Sequence, residues 1–156
     1  MGVAANPTWE IGVNEISKGD SSTHRSLRTI LFGAAFALLV GLLAVLLPAL
    51  FLPMKAYESP VFPLVRTAIE GMTPFTYVGL ALGGLVLGWV FPYAAAFGLL
   101  TMAPFYLSAV IEMLVDPQSH KLWPIEFVIY LALSLLAVFG GLCGRWARRL
   151  LAYLRE

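Results

Sequence analysis

Long stretches without any charged side chain alternate with short polar segments along the chain. Residues 29–54, 71–111 and 127–144 contain no Asp, Glu, Lys or Arg. A helix needs about 20 mostly apolar residues to cross roughly 30 Å of hydrocarbon, so each stretch is long enough to span a membrane. In lipid a helix satisfies its own backbone hydrogen bonds, and we therefore expect all three stretches to be helical.

The central uncharged stretch is about twice as long as one span requires, so we expect it to contain two helices. Pro74 and Pro92 are placed to begin them, because proline is favoured in the first turn of a helix. Trp89, Phe91 and Tyr93 then fall together at one membrane–water interface, where aromatic side chains are enriched. The pattern predicts an all-α, polytopic integral membrane protein, a four-helix transmembrane bundle. Its spans are expected at about 27–52, 74–91, 93–115 and 124–144.

The segments outside the spans are interpreted from their composition. Residues 1–26 are polar and rich in turn-forming residues, and we expect a flexible cytoplasmic tail. Residues 27–144 form the four-span membrane domain. Residues 145–156 are expected to continue the last helix as a basic cytoplasmic extension whose arginines reach the lipid head groups. Between the first two spans, Arg66 and Glu70 are four residues apart and can pair on a short surface helix.

Glycines recur four residues apart within the predicted spans. This spacing puts small residues on one face of a helix, where another helix can approach closely. We predict helix packing at Gly33, Gly41, Gly79, Gly83, Gly84, Gly88, Gly140 and Gly144. In the third span, Pro104 lies near the middle and is expected to kink the helix.

The composition agrees with a membrane domain and excludes several classes of function. Of the 156 residues, 60% are hydrophobic and 12% are charged, against about 25% charged in a typical soluble domain. Cys143 is the only cysteine, which rules out an intrachain disulfide and a Cys-x-x-Cys redox pair. His24 and His120 fall outside the spans on opposite sides of the predicted topology, which disfavours paired haem ligation. We therefore expect no cofactor, and no nucleic-acid partner for so few basic residues.

Basic residues flank the spans unevenly, and this predicts the orientation. The side of the termini carries Lys18, Arg25, Arg28, Arg145, Arg148, Arg149 and Arg155. The opposite side carries Lys55, Arg66 and Lys121. Because cytoplasmic segments hold the excess of Lys and Arg, both termini are expected in the cytoplasm, and we place the protein in a bacterial cytoplasmic (inner) membrane.

The densest group of polar residues lies between the third and fourth spans. Glu112 and Asp116 are four residues apart at the end of span 3, and His120 and Glu126 follow. Carboxylates and imidazole suit a cation, a metal ion or a proton, so these four residues are candidate ion or substrate ligands. Their spacing matches no specific metal motif, and a loop that ends one helix and starts the next is the simpler explanation. We therefore assign no metal.

Three functions remain open at this stage. The first, which we favour, is a non-enzymatic accessory or assembly bundle that contacts membrane lipids and packs with itself or with a partner membrane protein. The second is an oligomeric small transporter or channel that uses the outer-face carboxylates and histidine. The third is an outer-face enzyme that uses Glu112, Asp116 and His120 with or without a metal, and it is the weakest of the three. Separately, no hydroxyl in the spans has an evident neighbouring base, which argues against a nucleophile there.

Overall fold

The computed structural model describes residues 10–53, 59, 61–116 and 123–155, with side chains described from residue 27 onward except at Trp123. The described residues form helices and contain no strand. The helices are α1 (Glu10–Phe51), α2 (Pro63–Glu70), α3 (Pro74–Val90), α4 (Ala94–Leu100), α5 (Ala103–Val115) and α6 (Trp123–Tyr153). The chain divides into two compact units, Met1–Phe32 and Gly33–Glu156.

The first unit contains the beginning of α1. This helix starts at Glu10, well before the predicted start of the first span at residue 27. Residues 19–23, a glycine followed by small polar residues, belong to the turn-rich segment 1–26, but they lie inside the helix. Glycine within a helix costs only about 1 kcal/mol relative to alanine, so a local loop signal of this kind does not by itself end a helix.

Three helical segments are long and apolar enough to cross a membrane: Leu27–Phe51, Ala94–Val115 and Pro124–Tyr153. α2 and α3 meet the same test only as a pair, and they are bent by 96° relative to each other. The protein is therefore all-helical with three candidate spans, or four if the bent pair forms one span. On α6 the apolar side chains that are exposed, and thus available to lipid, include Leu131, Leu135, Phe139 and Leu142.

α3 and α6 approach each other backbone to backbone in the second unit. A Cβ atom added at Gly88 would lie 1.8 Å from the carbonyl oxygen of Gly141, and one added at Gly84 would lie 2.1 Å from the carbonyl oxygen of Ala137 on α6. From the other side, Cβ atoms added at Gly140 and Gly144 would lie 2.3 and 2.1 Å from carbonyl oxygens of α3. Any side chain at these positions would push the two helices apart.

The other glycines with the predicted spacing contact different elements. Cβ atoms added at Gly79 and Gly83 would meet side chains of α1, and one added at Gly33 would meet the Phe97 ring. A Cβ added at Gly41 would lie 1.7 Å from the carbonyl oxygen of Thr101, between α4 and α5. The second half of α1 therefore packs against α3 and against the residues between α4 and α5.

The third predicted span consists of two helices, α4 and α5, within one candidate span, Ala94–Val115. α4 ends at Leu100, and α5 begins at Ala103 with Pro104 in its first turn. Proline lacks an N–H and its ring clashes with the preceding turn, so a new helix start relieves both problems. The hydroxyl of Thr101 donates to the carbonyl of Gly98 at 2.7 Å, which gives one of the carbonyls at the break a partner.

Candidate functional site

A polar cavity lies among α2, α5 and α6. Its volume is about 370 Å³. Its ionisable lining residues are Arg66, Glu70, Glu112 and Glu126, and its hydroxyl-bearing lining residues are Ser108 and Tyr130. The remaining walls are apolar and comprise Val65, Ile69, Met72, Ala109 and Ile129. A mixture of mostly apolar walls and a few polar groups is typical of sites that hold a small ligand.

Glu112 connects α5 to the beginning of α2. Its side chain is buried, with 4% of its surface exposed. One carboxylate oxygen accepts hydrogen bonds from the Ser59 hydroxyl and from the backbone N–H of Phe62, the latter at 3.2 Å. The Phe62 N–H also donates to the Ser59 hydroxyl at 3.0 Å. A buried carboxylate needs such donors, and here the residues that precede Pro63 provide them.

Arg66 connects α2 to α6. Its guanidinium pairs with Glu70 one turn further along α2 and approaches Glu126 of α6, with 3.6 Å between Nη1 and Oε1. Burial by itself lowers the pKa of Arg66, but the hydrogen bond and charge of Glu70, with further help from Glu126, outweigh burial and raise the pKa above its ordinary value. Arg66 is thus a permanent cation among carboxylates.

Tyr130 lines the cavity and belongs to an aromatic cluster with Phe105, Tyr106 and Phe127. Its side chain is 3% exposed, and its ring stands nearly perpendicular to that of Tyr106, with 5.3 Å between the centroids. Among the residues that the structure describes, its hydroxyl has no hydrogen-bond partner. The hydroxyl of Tyr106, by contrast, donates to the carbonyl of Phe127 at 3.2 Å. The hydroxyl of Tyr106 is therefore hydrogen-bonded to the described part of the protein, whereas the hydroxyl of the neighbouring Tyr130 is not.

The four residues that the sequence singled out have different positions. Glu112 and Glu126 line one cavity. Asp116 ends α5, is partly buried and does not line the cavity. His120 lies outside the described residues. The expectation that these four form a single ligand set thus stays a prediction, and the cavity adds Glu70 and Arg66 to the two glutamates.

Sequence reasoning did not assign Ser59 or Tyr130 to the site. Ser59 stands three positions before Phe62, in a segment with several prolines, and a serine ahead of a helix that begins at Pro63 is a local signal for backbone hydrogen bonding. Tyr130 carries no such signal, because a tyrosine inside an apolar helix is indistinguishable by sequence from a packing residue. Only the arrangement of α2, α5 and α6 reveals its place.

Among the described residues, no three of the His, Cys, Asp and Glu side chains form a group that could hold a metal ion. Comparison of the chain with protein-family models, with curated proteins and with solved structures finds no match. The site is therefore defined by its own chemistry, which is carboxylate acceptors around a guanidinium, with two hydroxyl-bearing residues in the same lining.

The serine hydroxyls in the described spans make bonds to the backbone of their own helices. Ser134 donates to the carbonyl of Tyr130 at 2.9 Å, and Ser108 donates to the carbonyl of Phe105 at 2.9 Å. A serine nucleophile needs a base within hydrogen-bond reach. These two serines instead satisfy backbone carbonyls, as expected of packing residues in a membrane helix.

Proposed function

We propose that this chain is a non-enzymatic accessory or assembly protein of a membrane, built as a compact helical bundle. The observation that supports this most is that its buried and partly buried charged side chains join one helix to another. Glu112 holds the start of α2 to α5, and Arg66 holds α2 to α6. Groups of this kind stabilise one arrangement of helices, and the hydroxyls of Ser108 and Ser134 bond their own backbone in the same way.

In this proposal the bundle crosses the membrane four times, with both termini in the cytoplasm of a bacterial cell. The 96° bend between α2 and α3 supports a crossing α3 and an α2 that lies along the membrane surface. The uneven distribution of Lys and Arg supports the orientation. The polar cavity would then open toward the outer face.

Site-specific photocrosslinking in cells tests the accessory role. Benzoylphenylalanine would replace exposed apolar residues on separate faces, such as Leu47 on α1, Leu82 on α3 and Leu135 on α6. An assembly protein should give one discrete heavier adduct from one face and none from the others. If every face gives no protein adduct at all when the chain is expressed at its natural level, the accessory role is wrong.

A second candidate function, an oligomeric small transporter or channel, draws support from two observations. The third predicted span is broken at 101–102, and broken helices are common at transport sites. The 370 Å³ cavity lies at the end of the same span. However, the buried residues below it are largely apolar or aromatic, including Phe105, Leu133 and Ala137, so a pathway through one copy is not supported.

Two measurements separate this candidate from the first. A transporter of this size has to work as an oligomer, so native mass determination in lipid nanodiscs should give a defined multiple of the chain mass. Proteoliposomes should then show a solute flux that Glu126→Gln reduces. A strictly monomeric species without flux would leave only the accessory role.

A further inference from the structure

We infer that the cavity among α2, α5 and α6 is a binding site for a small primary alkylammonium ion. The inference concerns binding alone and holds for either proposed function. It starts from the volume of the cavity, about 370 Å³, which is far larger than a bare metal ion needs and lies within the range of about 300–1,000 Å³ typical of ligand pockets.

The polar lining favours a cation that donates hydrogen bonds. Among the described lining residues, Glu70, Glu112 and Glu126 are carboxylates and Arg66 is the basic residue. Carboxylate oxygens are acceptors only, so this wall of the cavity presents mainly hydrogen-bond acceptors. A primary ammonium group has three donors and suits such a wall.

Tyr130 gives an independent indication that the cavity holds a polar ligand. Its side chain is 97% buried, its hydroxyl makes no hydrogen bond to the described residues, and it lines the cavity. Since the ring is enclosed by protein while the hydroxyl oxygen keeps some accessible surface, that oxygen opens onto the cavity. A ligand in the cavity can provide a hydrogen bond, and the ammonium group can donate it to the phenolic oxygen.

The apolar walls define the rest of the ligand. Val65, Ile69 and Ile129 face the same space, so the ammonium group should carry a short hydrocarbon chain. Burial of each CH₂ group contributes about 0.8 kcal/mol, a factor of roughly four in affinity. Simple hydrated cations such as Na⁺ lack a hydrocarbon chain and should bind more weakly.

The test is calorimetric titration of the full-length protein in nanodiscs with butylammonium chloride at constant ionic strength. We expect saturable binding of butylammonium, and much weaker binding of 1-butanol, which lacks the charge, and of tetramethylammonium, which lacks the donors. No saturable binding of butylammonium, or equal binding of all three probes, would overturn the proposal.

The matched variants are Tyr130→Phe and Tyr106→Phe, and each removes one phenolic hydroxyl from one of two neighbouring rings. Tyr130→Phe should weaken butylammonium binding about fivefold to tenfold, the usual effect of one hydrogen bond. Tyr106→Phe should leave the affinity unchanged, since that hydroxyl bonds the carbonyl of Phe127. Unfolding midpoints of both variants show that each is folded, and an equal loss of affinity in the two variants would contradict the assignment.

Discussion

The hydroxyl of Ser59 donates a hydrogen bond to the carboxylate of Glu112, although the two residues lie 53 positions apart in the sequence. The same carboxylate accepts the backbone N–H of Phe62, so a single buried side chain of α5 fixes the segment that leads into α2. α2 in turn carries Arg66 and Glu70, which line the polar cavity. Glu112 thus holds in place the helix that carries part of the cavity lining.

Replacement of Glu112 by alanine should destabilise the protein and loosen α2. The change removes the acceptor of two hydrogen bonds, and a buried donor left without a partner costs about 1–3 kcal/mol. Glu112→Gln should cost less, because its side-chain oxygen can still accept both bonds. The midpoint of SDS-induced unfolding measures the loss, and the rate of protease cleavage between α1 and α2 reports the loosening.

Leu114→Ala is the control for this prediction. Leu114 lies on the same helix, with 79% of its surface exposed, so its truncation should change the unfolding midpoint little. An equal effect of Glu112→Ala and Leu114→Ala would mean that the hydrogen bonds of Glu112 do not hold α2 in place.

The contact between α3 and α6 should be intolerant of any added atom. In Gly88→Ala, the new Cβ would lie 1.8 Å from the Gly141 carbonyl oxygen, so the backbones would have to separate. Overpacking of this kind costs about 1–3 kcal/mol. Gly79→Ala on the same helix meets only the Cβ of Ala44, at 3.2 Å, and gains helix propensity in return. We expect a clear fall in unfolding midpoint for Gly88→Ala and almost none for Gly79→Ala.

The glycine pattern shows how far sequence reasoning reaches in this fold. Spacing of four residues predicts which face of a helix is smooth, and that face follows from local geometry alone. Spacing does not say which helix covers the face. Gly79 and Gly83 contact α1, whereas Gly84 and Gly88 contact α6. The two pairs are offset by one residue, and successive residues point about 100° apart around a helix, so each pair lies on a different face of α3.

The candidate site illustrates the same boundary. Glu112 and Glu126 stand out in the sequence because charge is rare beside apolar helices. The pairing of Arg66 with Glu70 is also predictable, since both lie on one short helix. The link from Arg66 to Glu126 joins residues that no local period relates, and it arises only because α2 packs against α6. Tyr130 depends on the same packing.

The end of α3 provides a smaller prediction. Arg148 of α6 is exposed and donates a hydrogen bond to the carbonyl of Trp89 at 3.0 Å, in the last turn of α3. A cation at a helix C-terminus contributes about 0.3–1 kcal/mol. Arg148→Ala should therefore accelerate hydrogen exchange in the last turn of α3 severalfold, while Arg149→Ala, which removes an exposed neighbouring cation, should not. An equal acceleration of exchange in the two variants would show that the positive charge of this segment matters and that the bond from Arg148 to Trp89 does not.

The orientation of the bundle decides which compartment the cavity faces, and cysteine labelling can measure it. The lone Cys143 is first changed to alanine, and single cysteines are then introduced as Gln118→Cys, between α5 and α6 in the sequence, and as Glu156→Cys. The excess of arginine beside the last span predicts cytoplasmic termini. A membrane-impermeant maleimide should therefore label Gln118→Cys in intact cells and Glu156→Cys only after the membrane is permeabilised, with the cysteine-free protein as the blank. The reverse pattern would put the termini outside and turn the cavity toward the cytoplasm, so that any ammonium ligand would have to come from within the cell.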